Sequence, residues 1–115
     1  MNFAIVLAAG VGQRMRNGGL PKQFLKLMGK PIVIYTLEKF EESEEIDEMV
    51  IVCHGSYVEH MKSLLALYQI SKVSRIIVGG GDRQTSLLKG LDAIEEIGGK
   101  REDIVVVHDG VRPLV

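Results

Sequence analysis

Four short, mostly apolar runs recur along the chain, and longer amphipathic segments separate them. The runs cover residues 3–9, 49–53, 75–78 and 104–107. Because they are continuous rather than alternating, they are typical of strands buried on both faces of a sheet. Between them, apolar side chains recur at helical spacing. The three helical stripes are Val33, Leu37 and Phe40; Val58, Met61, Leu65 and Tyr68; and Leu87, Leu91 and Ile94.

Three local patterns indicate where the helices begin and end. Pro31 suits the first residue of a helix. Ser56, with Glu59 three residues on, has the spacing of a capping box. The Gly98-Gly99 pair is expected to end the third helix. The alternation of strand and helix predicts an α/β protein with a Rossmann-like, doubly wound, mostly parallel sheet in three α/β/α layers.

Length and charge narrow the classes of function. A chain of 115 residues predicts a single domain over residues 1–115. The net charge of −1 gives no basic field, so we expect neither nucleic acid nor a membrane surface as a partner. The start of the chain lacks the features of a signal peptide, and the apolar runs are far shorter than the roughly 20 residues of a membrane span. We therefore expect a soluble, cytoplasmic protein, with Cys53 as a buried free thiol.

Glycines and charged residues follow three of the four predicted strands. They occupy residues 10–14, 79–83 and 108–112. Ligands of doubly wound sheets bind beyond the carboxyl ends of the strands, near the point where strand order reverses. We expect these three loops to converge at one rim of the sheet.

The loop after the first strand has two interpretations. Gly10 and Gly12 allow backbone N–H groups to approach a phosphate closely, although a plain tight turn uses the same residues. A dinucleotide-binding loop is disfavoured, because Met15 stands where a third glycine is needed and no acidic residue follows Cys53. A phosphate-binding Gly-Lys-Ser/Thr signature is absent from the sequence.

Two cations follow that loop. Arg14 offers a fork-shaped guanidinium and Lys22 a compact ammonium, and the combination suits a triphosphate. The alternative is a pair of solvated surface cations. Pro21 stiffens the chain before Lys22, which favours phosphate binding.

The end of the fourth strand places an acid at the rim. Asp109 suits a hard cation such as Mg²⁺, which takes oxygen ligands, although an aspartate that starts a turn is the alternative. Arg112 could hold Asp109 or a phosphate. His108 is expected to pack or to form a hydrogen bond rather than to act as a base, and the lack of paired histidines argues against zinc.

Residues 79–86 open the third helix and also have two interpretations. One is a plain helix start, capped by Asp82 or a neighbour. The other is a nucleobase site, in which bare glycine backbone and the Ser86 hydroxyl meet the edge of a base.

Four motifs together resemble the family of cytidylyltransferases that includes 2-C-methyl-D-erythritol 4-phosphate cytidylyltransferase and ribitol-5-phosphate cytidylyltransferase. They are L-A-A-G-V-G-Q-R-M at 7–15, P-K-Q-F at 21–24, G-G-G-D-R-Q-T-S at 79–86 and H-D-G-V-R-P at 108–113. The resemblance runs through the whole chain in the family's order and spacing. It implies a nucleotidyltransferase-type fold that binds CTP.

The resemblance also implies roles for individual residues. Arg14 and Lys22 would be catalytic, stabilising charge at the α-phosphate, and Asp109 would help to place Mg²⁺. The CTP-binding residues would be Ala8, Ala9, Gly10, Gly12, Gly80, Gly81, Ser86, Gly110 and Arg112.

The implied reaction transfers CMP from CTP to a polyol phosphate and releases pyrophosphate. The acceptor would be 2-C-methyl-D-erythritol 4-phosphate or ribitol 5-phosphate. H-D-G-V-R-P and the Asp82-Arg83 pair look closer to the ribitol branch, whereas A-A-G and R-Q-T-S look closer to the methylerythritol branch. Such chemistry depends on positioning and electrostatic stabilisation more than on a base, because the attacking phosphate is already anionic.

Length is the main departure from the family. Its members are roughly twice as long, and this chain stops before the family's polyol-phosphate site, its dimer-forming arm and a second lysine. We therefore expect a truncated domain of a protein that is a homodimer at full length. A non-catalytic nucleotide-binding or interaction module of the same fold is the alternative, and an unrelated NAD binder is disfavoured.

Overall fold

The computed structural model describes residues 1–8, 26–27, 29–100 and 102–109. These residues form six strands and three α-helices. In chain order they are β1 (Asn2–Ala8), β2 (Lys26–Leu27), β3 (Lys30–Pro31), α1 (Ile32–Glu42), β4 (Glu48–Cys53), α2 (Val58–Leu67), β5 (Val73–Val78), α3 (Arg83–Glu96) and β6 (Ile104–Asp109). The short strands β2 and β3 pair with each other in antiparallel fashion. The other four form one parallel sheet, which confirms the predicted α/β class.

The order of the strands predicts a crevice beyond the carboxyl ends of β1 and β6. The sheet runs β5-β4-β1-β6, so the chain moves outward from β1 in one direction and then returns to the other side of β1. Ala8 lies opposite Cys53, Cys53 lies opposite Val78, and Leu7 lies opposite Asp109. The carboxyl ends of all four strands are therefore level. Strand order reverses between β1 and β6, where ligands bind in doubly wound sheets.

The two faces of the sheet pack against different helices, and this confirms the predicted three layers. Through Ala4 and Val6, β1 belongs to a buried cluster that includes residues of α1 and α2. Through Phe3 and Ile5 it belongs to a second cluster that includes residues of α3. Side chains alternate between the faces of a strand, so a central strand covered on both sides is continuously apolar.

The predicted helix ends are partly correct. Pro31 precedes α1 by one residue instead of beginning it. The Ser56 capping box is wrong: the Nδ1 atom of His54 accepts the hydrogen bond from the Ser56 N–H at 3.1 Å, a 3₁₀ turn follows over Gly55–Tyr57, and α2 begins only after that turn. The glycine end of α3 is confirmed, since Gly98 has φ +101° and its N–H donates to the Glu95 carbonyl at 3.1 Å.

The predicted core stripe of α3 is wrong at one position. Leu91 is exposed, although Ile94 is buried as predicted. The buried side of α3 instead uses small residues such as Gly90 and Ala93. A Cβ added at Gly90 would lie 3.0 Å from Cγ2 of Ile5, so the helix backbone lies close against β1 at that point. Leu88 and Leu91 are exposed, whereas Leu87 packs against the buried cluster that includes Phe3 and Ile5.

A polar clasp joins the end of α1 to the segment before β5. The Lys72 ammonium donates hydrogen bonds to the carbonyls of Ser43 at 2.7 Å and Ile46 at 2.8 Å. The Glu41 carboxylate accepts hydrogen bonds from the backbone N–H groups of Ser71 and Lys72. Carbonyls near a helix end that lack an intrahelical partner are satisfied here by a cation.

None of the helices within the described ranges is long and apolar enough to cross a membrane.

Candidate functional site

The end of β1 lies where this crevice is expected, at the point where strand order reverses. Ala8, the last residue of β1, is 2% exposed, and its neighbour Leu7 lies opposite Asp109 on β6. The predicted binding residue Ala8 and the predicted metal ligand Asp109 therefore lie at the same rim of the sheet, on neighbouring strands.

A serine from α3 holds the glycine-rich loop after β5. The Ser86 side chain is 3% exposed, and its Oγ atom accepts a hydrogen bond from the Gly80 N–H at 3.0 Å. The N–H of Gly79 donates to the Cys53 carbonyl at 2.9 Å, so the loop starts as a continuation of the sheet. A hydroxyl that accepts one bond still has a hydrogen to donate. The structure thus brings Gly80 and Ser86 together, as the sequence predicts.

Gly80 and Gly81 have different surroundings. A Cβ added at Gly80 would lie 2.6 Å from Cβ of Thr85 and closer still to its methyl group. A Cβ added at Gly81 would meet no atom within 4 Å among the described residues. Packing against α3 therefore explains the absence of a side chain at Gly80. At Gly81 no described residue obstructs the side-chain direction, so a ligand can approach the residue from that side.

Asp82 caps α3. Its Oδ1 atom accepts a hydrogen bond from the Thr85 N–H at 2.7 Å, and this bond lowers the pKa of the Asp82 carboxyl. The plain helix start proposed for this segment is therefore confirmed. It uses Asp82, whereas the candidate base contacts belong to Gly81 and Ser86, so the two interpretations are compatible.

An ion pair joins the glycine-rich loop to the end of β6. The Nε atom of Arg83, the first residue of α3, lies 3.5 Å from Oδ1 of Asp109. The side chains are 62% and 30% exposed, respectively. Sequence reasoning used Arg83 only as a marker of a family branch and missed this contact. The available signal was its position directly after a helix cap at the same rim as Asp109.

His108 faces away from Asp109. Its ring makes an edge-to-face contact with Phe40 of α1, with 5.7 Å between the ring centroids. Within the described residues both ring nitrogens are buried and have no hydrogen-bond partner. Neighbouring residues of a strand point to opposite faces. The prediction of a packing role is confirmed, on the α1 side of the sheet.

The thiol at the end of β4 is chemically quiet. Cys53 is a buried free cysteine, as predicted. Burial raises its pKa to about 11, so it stays protonated near neutral pH. Since the thiolate is the reactive form, Cys53 does not act as a nucleophile in the folded chain.

The donor set at the rim fits Mg²⁺ that is shared with phosphates. The described residues contain no group of three or more His, Cys, Asp or Glu side chains that could hold a metal alone. Mg²⁺ is commonly held by one or two carboxylates together with substrate phosphates. The half-exposed carboxylate of Asp109, at the point where strand order reverses, matches that mode.

Several predicted site residues lie outside the described part of the chain. They are Ala9, Gly10, Gly12, Arg14, Lys22, Gly110 and Arg112. Their roles stay predictions, as does the alternative that Asp109 starts a turn with the amides after it.

Comparison with known proteins supports the resemblance. The family model for IspD, 2-C-methyl-D-erythritol 4-phosphate cytidylyltransferase, matches residues 2–115. A ribitol-5-phosphate cytidylyltransferase of Vibrio parahaemolyticus is 48% identical over 115 residues, which are 100% of this chain and 48% of that protein. A 2-C-methyl-D-erythritol 4-phosphate cytidylyltransferase of Lachnospira eligens is 44% identical over the same share of each chain.

Solved structures agree with the sequence relatives. The 2-C-methyl-D-erythritol 4-phosphate cytidylyltransferase of Francisella tularensis superposes with a TM-score of 0.73 and 31% identity, over 100% of this chain and 46% of that one. The chain spans about half the length of the curated relatives it matches. Because the family model covers residues 2–115, this chain belongs to the IspD family of cytidylyltransferases.

Proposed function

We propose that the protein transfers CMP from CTP to a polyol phosphate, and that this chain supplies the part that binds CTP and Mg²⁺. The acceptor is ribitol 5-phosphate or 2-C-methyl-D-erythritol 4-phosphate, and the products are a CDP-polyol and pyrophosphate. One observation carries the proposal: a glycine-rich loop held by Ser86 and the acid Asp109 lie at one rim, bridged by Arg83. Family membership supplies the reaction type.

The glycine-rich loop is the part proposed to hold cytosine. No described residue obstructs the side-chain direction of Gly81, and the Ser86 hydroxyl keeps a hydrogen to donate. The edge of cytosine carries both donors and acceptors. A loop fixed by the Ser86–Gly80 hydrogen bond holds such groups in place before the nucleotide arrives, which lowers the entropy lost on binding.

The end of β6 is the part proposed to face the phosphates. Asp109 would hold Mg²⁺, which when bound neutralises charge on the phosphate oxygens. Arg14 and Lys22 would stabilise the charge on the α-phosphate. An oxygen of the polyol phosphate attacks the α-phosphorus in line, the bond from that phosphorus to the bridging oxygen breaks, and pyrophosphate leaves.

Arg14 and Lys22 provide a first test of these roles. We expect Arg14→Ala and Lys22→Ala to weaken CTP binding far more than they lower the melting temperature, because a cation that binds phosphate contributes little to a hydrophobic core. Calorimetric titration and thermal unfolding measure the two effects on the same samples. Equal losses of binding and stability would contradict the assignment.

Product formation distinguishes the proposed enzyme from its alternative. The chain is incubated with CTP, Mg²⁺ and each polyol phosphate in turn, and ³¹P NMR follows the signals of pyrophosphate and the CDP-polyol. Product with one acceptor supports the proposal and identifies the acceptor. Because the chain spans about half of its relatives and is expected to stop before the acceptor site, CTP binding without product does not separate the two functions. The same assay on a protein of the relatives' length does, and CTP binding without product there would favour a nucleotide-binding module. Homodimerisation of a full-length protein stays a prediction.

A further inference from the structure

The Arg83–Asp109 ion pair is not needed to hold the fold together. Both side chains are partly exposed, and the contact is a single Nε–Oδ1 distance of 3.5 Å rather than a two-point fork. Exposed ion pairs of this kind contribute little to stability because water and salt screen them. The pair is nevertheless placed at the crevice, on the carboxylate proposed to bind a cation.

The backbone that carries Arg83 is fixed on both sides. Immediately before it, Asp82 caps α3 through the Thr85 N–H. Immediately after it, Ser86 is buried and bonded to Gly80. One turn further, Gly90 lies close against β1. Only the arginine side chain is therefore free to leave Asp109, and it can do so without moving the helix.

We infer that Arg83 is a positioning residue that occupies the Asp109 carboxylate until a divalent cation displaces it. The inference rests on the proposed function, in which Asp109 holds Mg²⁺. A guanidinium and a divalent cation are both attracted to the same carboxylate and repel each other, so they compete for it. Binding of the cation at Asp109 thereby changes the position of the Arg83 side chain, which borders the glycine-rich loop. A guanidinium released at this place is well suited to a phosphate oxygen.

The competition predicts a measurable shift in metal affinity. Removing the positive charge with Arg83→Gln should tighten cation binding at Asp109 by about two- to fivefold, which is the range expected for an exposed ion pair. Arg83→Lys keeps the charge and should give a smaller change. Arg75→Gln is the matched control: Arg75 is exposed on β5, its Nη1 donates to the Ser74 carbonyl at 3.1 Å, and its charge change is the same.

Paramagnetic broadening by Mn²⁺ alone tests the inference without nucleotide. In the ¹⁵N-labelled chain, Mn²⁺ bound at Asp109 broadens the amide signals of residues 107–109, and the Mn²⁺ concentration at half-broadening is compared among the variants. We expect it to fall about two- to fivefold in Arg83→Gln, to be unchanged in Arg75→Gln, and local broadening to vanish in Asp109→Asn. The ¹⁵N spectrum also shows whether each variant is folded.

Each other outcome overturns the inference. An unchanged or higher half-broadening concentration in folded Arg83→Gln would show that Arg83 does not compete with the cation. An equal shift in Arg75→Gln would show that the change in affinity comes from the net charge of the protein and not from the contact of Arg83 with Asp109. If Mn²⁺ broadens no amide signal near Asp109 in the parent or in any variant, Asp109 does not bind a divalent cation. Because no CTP is present, a shift that occurs in a chain that fails to bind CTP would keep this inference and reject the proposed function.

Discussion

Gly80 and Gly81 are neighbours in sequence, yet the structure predicts opposite effects of an added methyl group. At Gly80 the new Cβ would lie 2.6 Å from Cβ of Thr85, whereas carbon atoms pack best at about 3.5–4.0 Å. Thr85 would have to move by about 1 Å. Its backbone is anchored to Asp82, so the movement also disturbs the cap of α3. Among the described residues, Gly81→Ala meets no such obstacle.

The expected loss for Gly80→Ala follows from those two effects. Overpacking lowers the free energy of unfolding by about 1–3 kcal/mol, and a weakened helix cap by about 1 kcal/mol more. A domain of this size unfolds with an entropy of about 0.24 kcal/mol/K, so a total of about 2–4 kcal/mol lowers the melting temperature by about 8–17 °C. Gly81→Ala should change the free energy of unfolding by less than about 0.5 kcal/mol.

For CTP binding, we expect the substitution at Gly81 to have a direct effect, in contrast to its small effect on stability. If the Gly81 backbone meets the base edge, a methyl group there should weaken CTP binding by about tenfold, the equivalent of one lost hydrogen bond. Thermal unfolding by circular dichroism and calorimetric titration with CTP give both quantities for each variant. A Gly80→Ala chain that melts with the parent would refute the packing argument. A Gly81→Ala chain that binds CTP like the parent would refute the contact with the base.

Three further substitutions or reactions test other parts of the structure. Lys72→Met should lower the free energy of unfolding, measured in urea, by about 1.5–3 kcal/mol, because the carbonyls of the clasp lose a charged donor. The control Lys62→Met removes a cation of an exposed ion pair and should change that free energy by less than about 0.5 kcal/mol. Equal effects of the two substitutions would contradict a stabilising role of the clasp. Cys53 should react with a thiol reagent only after unfolding, because burial raises its pKa to about 11; rapid reaction of the native chain would contradict that burial. The hydrogen bond from the Thr85 N–H lowers the pKa of Asp82, so its contribution is present above the ordinary value of 3.8 and declines as the pH falls below that value. Any advantage of the parent over Asp82→Asn in melting temperature at pH 7 should therefore shrink at pH 3; an advantage as large at pH 3 as at pH 7 would contradict this.

The sheet was the most predictable part of the fold. The run at residues 3–9 is apolar without alternation, which is typical of a strand covered on both faces, as in a parallel sheet with helices above and below it. No local sequence pattern predicts that β6 pairs with β1 on the side opposite β4. It was expected only from the general rules for such sheets, and the register of Leu7 with Asp109 confirms it.

The missed features all depend on contacts between distant or competing groups. The prediction that Leu91 is buried was wrong because Gly90, which lies close to Ile5, is on the side of α3 that faces the sheet. The Ser56 cap failed because the His54 ring accepts the hydrogen bond from its N–H instead. The Arg83–Asp109 pair joins two elements that meet only after β6 returns to β1. The His54–Ser56 bond is local, but the approach of Gly90 to Ile5 and the Arg83–Asp109 pair join residues far apart in sequence, so patterns within a short window do not contain them.

The most direct test of the central claim is calorimetric titration of the folded chain with CTP, with and without Mg²⁺. UTP, ATP and NAD are the comparison ligands. We expect CTP to bind in a Mg²⁺-dependent way and more tightly than the other three, because the loop at Gly81 and Ser86 is proposed to read the base and Asp109 to hold the cation. Absence of CTP binding by a chain that is demonstrably folded, or equal binding of NAD, would contradict the account.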